Sequence, residues 1–191
     1  NAWSVAQGRL FSNGQARRCA LHANSHAANQ SVRADLRHGG WSDPPNEARL
    51  GLVGRYVNAE IYVFGGIRTA NENGNWRSRA VIEVHHPRLP NGFLEVGTSP
   101  TLETLNVEPW FPRALLTGEG AATHFELELN GRTLRLFINQ GAERRMLAAG
   151  IDSFDVLLIG APPVQEPLEP GLGHTHPGRG GLLTEHITAT F

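Results

Sequence analysis

Hydrophobic and polar side chains alternate with period two along much of this 191-residue chain, the pattern of strands with one buried face. Ser31–Arg37 is the plainest case. Val32, Ala34 and Leu36 fall on one face and Arg33, Asp35 and Arg37 on the other, whereas a helix would scatter those charges around its circumference. Strands are also predicted over Arg49–Tyr56 and Ile61–Gly65. In the latter Ile61 and Val63 face one way and Tyr62 and Phe64 the other, so both faces should be covered. Trp76–His86 forms a further strand, turned by Pro87, Pro90 and Gly92. Alternation returns at His124–Asn130 and Thr133–Asn139, separated by Asn130-Gly131, which is expected to make a two-residue hairpin turn. Leu157–Ile159 and Glu185–Phe191 supply two more strands.

Two zones break this rhythm. Pro162–Gly181 carries Pro162-Pro163, Pro170-Gly171 and Pro177-Gly178 and reads as a long loop, either a docking element or a mobile surface excursion. Ser12–Gln30 reads as a short helix or an edge strand. About ten short strands at this spacing point to two packed antiparallel sheets, a jelly-roll β-sandwich occupying 1–191 as one domain. Its sheet edges should be closed in part by pairing the first strand, Trp3-Ser4-Val5, with the last, His186–Thr190.

Composition narrows the chemistry. Seventeen basic residues against eighteen acidic ones leave a formal charge of −1, which argues against sequence-independent nucleic-acid binding. Every basic residue is Arg, so Schiff-base and P-loop lysines are excluded. The single cysteine, Cys19, excludes an intrachain disulfide framework and reads as a small hydrophobe. No apolar run approaches the ~20 residues of a membrane span. The sequence opens on Asn with no charged-then-apolar leader before Trp3, as expected of a processed or partial chain.

Trp3-Ser4-Val5 followed by Gly8-Arg9-Leu10, the run Leu50–Tyr56 with Ile61–Gly65, the hairpin His124–Ile138 and the closing run Gly181–Thr190 together resemble laminin G-like and concanavalin A-like jelly-roll domains. The resemblance covers most of the chain outside Pro87–Ala122 and the Pro/Gly-rich loop. It implies a sandwich that binds glycans on a sheet face or along a loop rim, in some members with calcium. The same fold hosts lectins, glycosidases, lyases and virion modules, so the chemistry must be read from the residues.

Arg77, Arg79, Val81, Glu83 and His85 share one strand face, and Arg33, Asp35 and Arg37 form a second charged row. On one common sheet face these rows would build an Arg-rich groove for an acidic glycan, since guanidinium forks suit carboxylate and sulfate. Otherwise each row is a solvated face whose charges pair mutually. Trp41, Trp76, Trp110 and Phe111 sit beside turn residues as candidate stacking platforms or end plugs. Glu126 and Glu128 have the spacing of any E-x-E strand and lack a glucanase pattern. For a polysaccharide lyase, Arg79 would neutralise a uronate while His85 or Tyr62 took its α-proton. His174 and His176 are weak metal candidates. Asp152 and Asp155 lie close in sequence, without an EF-hand loop, and Asn29-Gln30-Ser31 is a glycosylation acceptor only on a eukaryotic secretory route.

These residues favour a non-catalytic recognition module that binds glycan or attaches to a surface, placed outside the cell or on a cell or virion surface. The alternatives are a homo-oligomeric coat or surface-array subunit and an enzyme acting on acidic polysaccharide.

Overall fold

The computed structural model describes residues 3–6, 9–13, 17–23, 25–41, 47–73, 75–99, 123–140, 143–152, 177–185 and 187–190. Thirteen strands run through them: β1 (Trp3–Ala6), β2 (Arg9–Asn13), β3 (Arg18–Leu21), β4 (Gln30–Trp41), β5 (Glu47–Asn58), β6 (Ile61–Glu72), β7 (Asn75–His85), β8 (Phe93–Thr98), β9 (Thr123–Asn130), β10 (Thr133–Gln140), β11 (Glu143–Ile151), β12 (Arg179–Glu185) and β13 (Ile187–Thr190). A single 3-10 turn at Pro90–Gly92 interrupts the strands, and no α-helix occurs among the described residues. Among the described residues no helix is long and apolar enough to cross a membrane.

The strands form an antiparallel sandwich of jelly-roll type. The larger sheet runs β1-β2-β13-β4-β9-β10-β11 and the smaller β3-β12-β5-β6-β7-β8. Alternation decides what lies between them. Leu50 and Leu52 of β5, Val63 and Ile67 of β6, and Ala80, Ile82 and Val84 of β7 meet Leu36, Phe125, Leu127, Leu129, Leu134, Leu136 and Ile138 of the larger sheet in one buried core. The opposite parity of the smaller sheet is buried as well. Val53, Tyr62, Phe64, Val81 and Leu183 form a second apolar cluster on its outer face, with Cys19, Leu21 and Tyr56 packed against it. β6 is thus covered on both sides, as its unbroken apolar run requires.

Several expectations are corrected. The last strand pairs with β2 and β4 rather than with β1, which lies outside β2. The hairpin between β9 and β10 keeps Asn130 in register with Thr133, so its loop is Gly131-Arg132, with Gly131 at φ +53°. Within the irregular zone Ser12–Gln30, Arg18–Leu21 form an edge strand, β3, one of the two readings left open for it. Strand β12 begins at Arg179, so the last residues of the Pro/Gly-rich segment are sheet. Leu157–Ile159 and residues 162–176 of that segment lie outside the described residues, while Gly178 forms an isolated antiparallel bridge with Ala27. β8 and β11 appear where no alternation announced them.

Two features fix the ends of the sandwich. A Cβ on Gly97 would lie 2.6 Å from the Ala149 carbonyl oxygen and one on Gly150 2.3 Å from that of Val96. The two edge strands β8 and β11 therefore close on each other backbone to backbone. Elsewhere Arg55, fully buried at φ +50°, reaches from β5 to donate to the Ala28 and Gly131 carbonyls at 2.8 and 2.5 Å. It lies 3.8 Å from Asp152. A buried charge is tolerated because carbonyls and a carboxylate surround it.

Candidate functional site

The charged row on β7 is real, and its surroundings give it meaning. Glu83, fully buried on the outer face of the smaller sheet, receives Arg49 Nε at 3.0 Å and Arg68 Nη1 at 3.0 Å, and lies 3.0 Å from His85 Nε2. Arg49, equally buried, also donates through Nη1 to Glu47 at 2.7 Å and Glu185 at 2.8 Å. Arg17 closes the ring, bonding Glu185 at 3.3 Å and the Tyr62 hydroxyl at 2.9 Å, while Arg68 extends it to Glu95 at 2.6 Å. The two fully buried charges, Glu83 and Arg49, are tolerated because each has at least two partners of opposite sign.

Titration follows from these contacts. Burial pushes the Glu83 carboxyl up, but the His85 hydrogen bond and the Arg49 charge outweigh it and hold the group at about 2. Burial likewise works against the Arg49 charge, and Glu83 and Glu47 more than offset it, so its pKa rises. His85 is pushed down by burial against the pull of Glu83. Burial drives the Tyr62 phenol upward and the Cys19 thiol up to about 11.

Rings stack over this network. Tyr62 and His85, opposite each other across β6 and β7, have centroids 4.2 Å apart at 12°. Phe93 on β8 follows at 5.4 Å, with the Arg49 guanidinium 5.5 Å from its centroid. Beside them opens a cleft of about 290 Å³ lined by Arg17, Glu47, Arg49, Glu60, His85, Asn91 and Phe93. Its size is at the lower end of small-molecule sites, ~300–1,000 Å³.

Both turns that contribute to the cleft are braced. In the β5–β6 turn the Asn58 carboxamide oxygen accepts from the Glu60 and Ile61 amides at 2.8 and 3.0 Å. In the β7–β8 loop Gly92 and Leu89 amides bond back to Leu89 and His86 carbonyls, with Asn91 at φ +59° and Gly92 at φ +77°.

The second charged row lies elsewhere. Arg33 and Asp35 stand on β4, in the larger sheet, so the two rows occupy different sheets and no common Arg-rich groove forms. Arg33, 61 % exposed, pairs with Glu126, 2 % exposed. Glu126 also takes hydrogen bonds from Ser31, Asn139 and Arg144. Burial raises its pKa and these donors more than reverse that, to about 2. Arg144 continues to Glu128 at 2.5 Å and lies over the Phe137 ring at 3.5 Å, while His124 meets Asp35 at 2.7 Å. This face is a mutually paired ion network.

The remaining candidates separate. Arg77 and Arg79 share the β7 face but pair with Glu72. Arg79 is six residues along the strand from His85, roughly 20 Å at the rise of a strand. Tyr62 and His85 are therefore brought together while Arg79 is not, and the lyase trio does not assemble. Arg37 and Trp41 lie in β4 opposite Thr190 and Ile187, and Trp76 in β7 opposite Asn71. Trp110, Phe111, Asp155, His174 and His176 lie outside the described residues, and Asp152 pairs with Arg55. Among the described residues no group of three or more His, Cys, Asp or Glu is arranged to hold a metal. Sequence reasoning missed Arg49, Arg68 and Glu185. An arginine set among Ala48, Leu50 and Leu52 was the available signal at the first of these.

No protein-family model matches the sequence, and none of the curated proteins compared with it is similar. The fold is similar to that of the carbohydrate binding module CBM66 from Bacillus subtilis, with a TM-score of 0.55 at 10% identity over 98% of this chain and 85% of that one. A lower likeness, TM-score 0.40 at 8% identity over 100% and 79%, relates it to the CBM2 module of the evolved Dit of Lactobacillus casei BL23 phage J-1. The kappa-carrageenase from Pseudoalteromonas carrageenovora follows at 0.37 and 9% over 99% and 82%.

Proposed function

We propose that the chain is a carbohydrate-recognition module whose ligand enters the cleft beside Phe93 on the outer face of the smaller sheet. One observation carries this reading. The cleft is floored by Arg49 and His85, whose side chains are locked by Glu83, Glu47, Glu185 and the Tyr62 and Phe93 rings. Its rim combines polar groups with an aromatic edge on braced turns. A sugar has an apolar C–H face and a polar hydroxyl edge, and a site offering both in fixed positions pays little ordering cost on binding. The fold-level likeness to a carbohydrate binding module agrees with this reading.

Calorimetric titration against a panel of oligosaccharides tests it. At least one should bind, and Asn91→Gly should weaken that binding about tenfold or more, the loss of one well-placed hydrogen-bonding group, while Arg17→Ala should weaken it by releasing the Glu185 and Tyr62 side chains that Arg17 holds beside the cleft. Asn91→Gly removes the side chain without straining a left-handed backbone position, so its melting temperature should stay near that of the parent. A panel without any binder, or variants that bind as the parent does, would overturn the proposal.

A further inference from the structure

We infer that the glycan taken by this cleft is uncharged, held by donating hydroxyl groups to Glu47 and Glu60, and that acidic glycans are turned away. The inference rests on the reading of the cleft as a glycan site and names the class of ligand it accepts.

Charge and saturation carry it. In the cleft and the ion-pair network it shares, Arg17, Arg49 and Arg68 face Glu47, Glu60, Glu83, Glu95 and Glu185, so carboxylates outnumber guanidiniums. The arginines are committed: Arg17 to Glu185 and the Tyr62 hydroxyl, Arg49 to Glu83, Glu47 and Glu185, Arg68 to Glu83 and Glu95. A sulfate or uronate would have to displace a protein carboxylate from a guanidinium that already holds it. It would also pass two exposed carboxylates at the rim, Glu47 with its side chain 42% exposed and Glu60. Like charges brought together in a partly dry cleft reject a ligand more effectively than a missing contact does.

An uncharged sugar meets neither obstacle. Its hydroxyls donate to carboxylates in short, charge-assisted hydrogen bonds, and Arg49 holds Glu47 in place for that purpose. Asn91 can donate and accept beside them, while Phe93 packs against the C–H face.

The test is calorimetry on pairs alike except in charge, oligogalacturonate with its methyl ester and sulfated with unsulfated galactan, together with neutral gluco-, xylo- and fructo-oligosaccharides. An uncharged ligand should bind at least about tenfold tighter than its anionic counterpart at low salt, and the gap should narrow as salt screens the rim. Glu47→Gln should weaken the uncharged ligand about tenfold, as an amide oxygen replaces a carboxylate. Glu60→Arg, on an exposed side chain, should raise affinity for the anionic member of the pair. An anionic glycan bound tighter than its neutral partner would overturn the inference while leaving the recognition reading intact. A panel without any binder would bring down both.

Discussion

Arg49 and Arg68 both converge on the Glu83 carboxylate with His85 beside it, and that concentration sets the stakes of a single position. Glu83→Gln leaves two guanidiniums without their shared counter-charge and should cost about 3–5 kcal/mol, the usual penalty for breaking rather than replacing a buried pair. Urea unfolding of the variant checks this, and a loss below about 1 kcal/mol would show that the network is not a stability element. The acid dependence follows from the same contacts. Glu83 and Glu126 are both held at about 2 in the folded chain, so their contribution is complete above the ordinary carboxylate range and drains away as pH falls through it toward that value. His85 acts at higher pH. Its pKa is depressed, the folded state prefers the neutral ring, and stability is lost as pH falls below the ordinary imidazole range. The urea midpoint should thus decline in two acid steps, and His85→Gln should remove the upper one. A decline on the alkaline side instead would contradict both assignments.

Gly51 and Gly66 face each other across β5 and β6, and their missing side chains decide how the two strands pack. A Cβ on Gly66 would lie 2.4 Å from the Leu50 carbonyl oxygen and 2.6 Å from the Gly51 Cα, and the Phe64 ring lies across both glycines. Gly66→Ala must therefore push backbone or ring aside and should cost about 3 kcal/mol, against about 1 kcal/mol for Gly131→Ala, where only the positive φ opposes a side chain. Equilibrium unfolding of the two variants separates these costs, and equal losses would refute the steric account. Such glycines also explain what the sequence concealed. Gly65-Gly66 looks like the end of a strand, yet β6 continues to Glu72 because Leu127 occupies the space beside Gly65. β11 hides its alternation behind a bulge opposite Leu136/Phe137 and the small residues Ala148-Ala149-Gly150 that meet β8. The shared face of Glu83 and His85 was legible because parity within one strand needs no knowledge of its neighbours. That β4 and β7 belong to different sheets was not, nor was the meeting of Glu83 with Arg49, since both depend on pairings remote in sequence.

At the scale of the whole molecule, β12 lies between β3 and β5, and β13 between β2 and β4. Strands β1, β2 and β3 therefore join the rest of the two sheets through β12 and β13. Removing 187–190 should free the first two strands, so that amides over 3–13 exchange with solvent at nearly unprotected rates while those of β5, β6 and β7 stay slow. Hydrogen exchange resolved by mass spectrometry measures this, and persistent protection over 3–13 would show another anchor.

That placement has a consequence for how the protein is made. The first two strands leave the ribosome early and can pair with each other, but β2 and β3 meet the rest of their sheets only when the final two strands emerge, so translation outruns assembly. Until then the nascent chain carries open edges on both layers, the condition that invites pairing with other chains and makes a chaperone's shelter valuable.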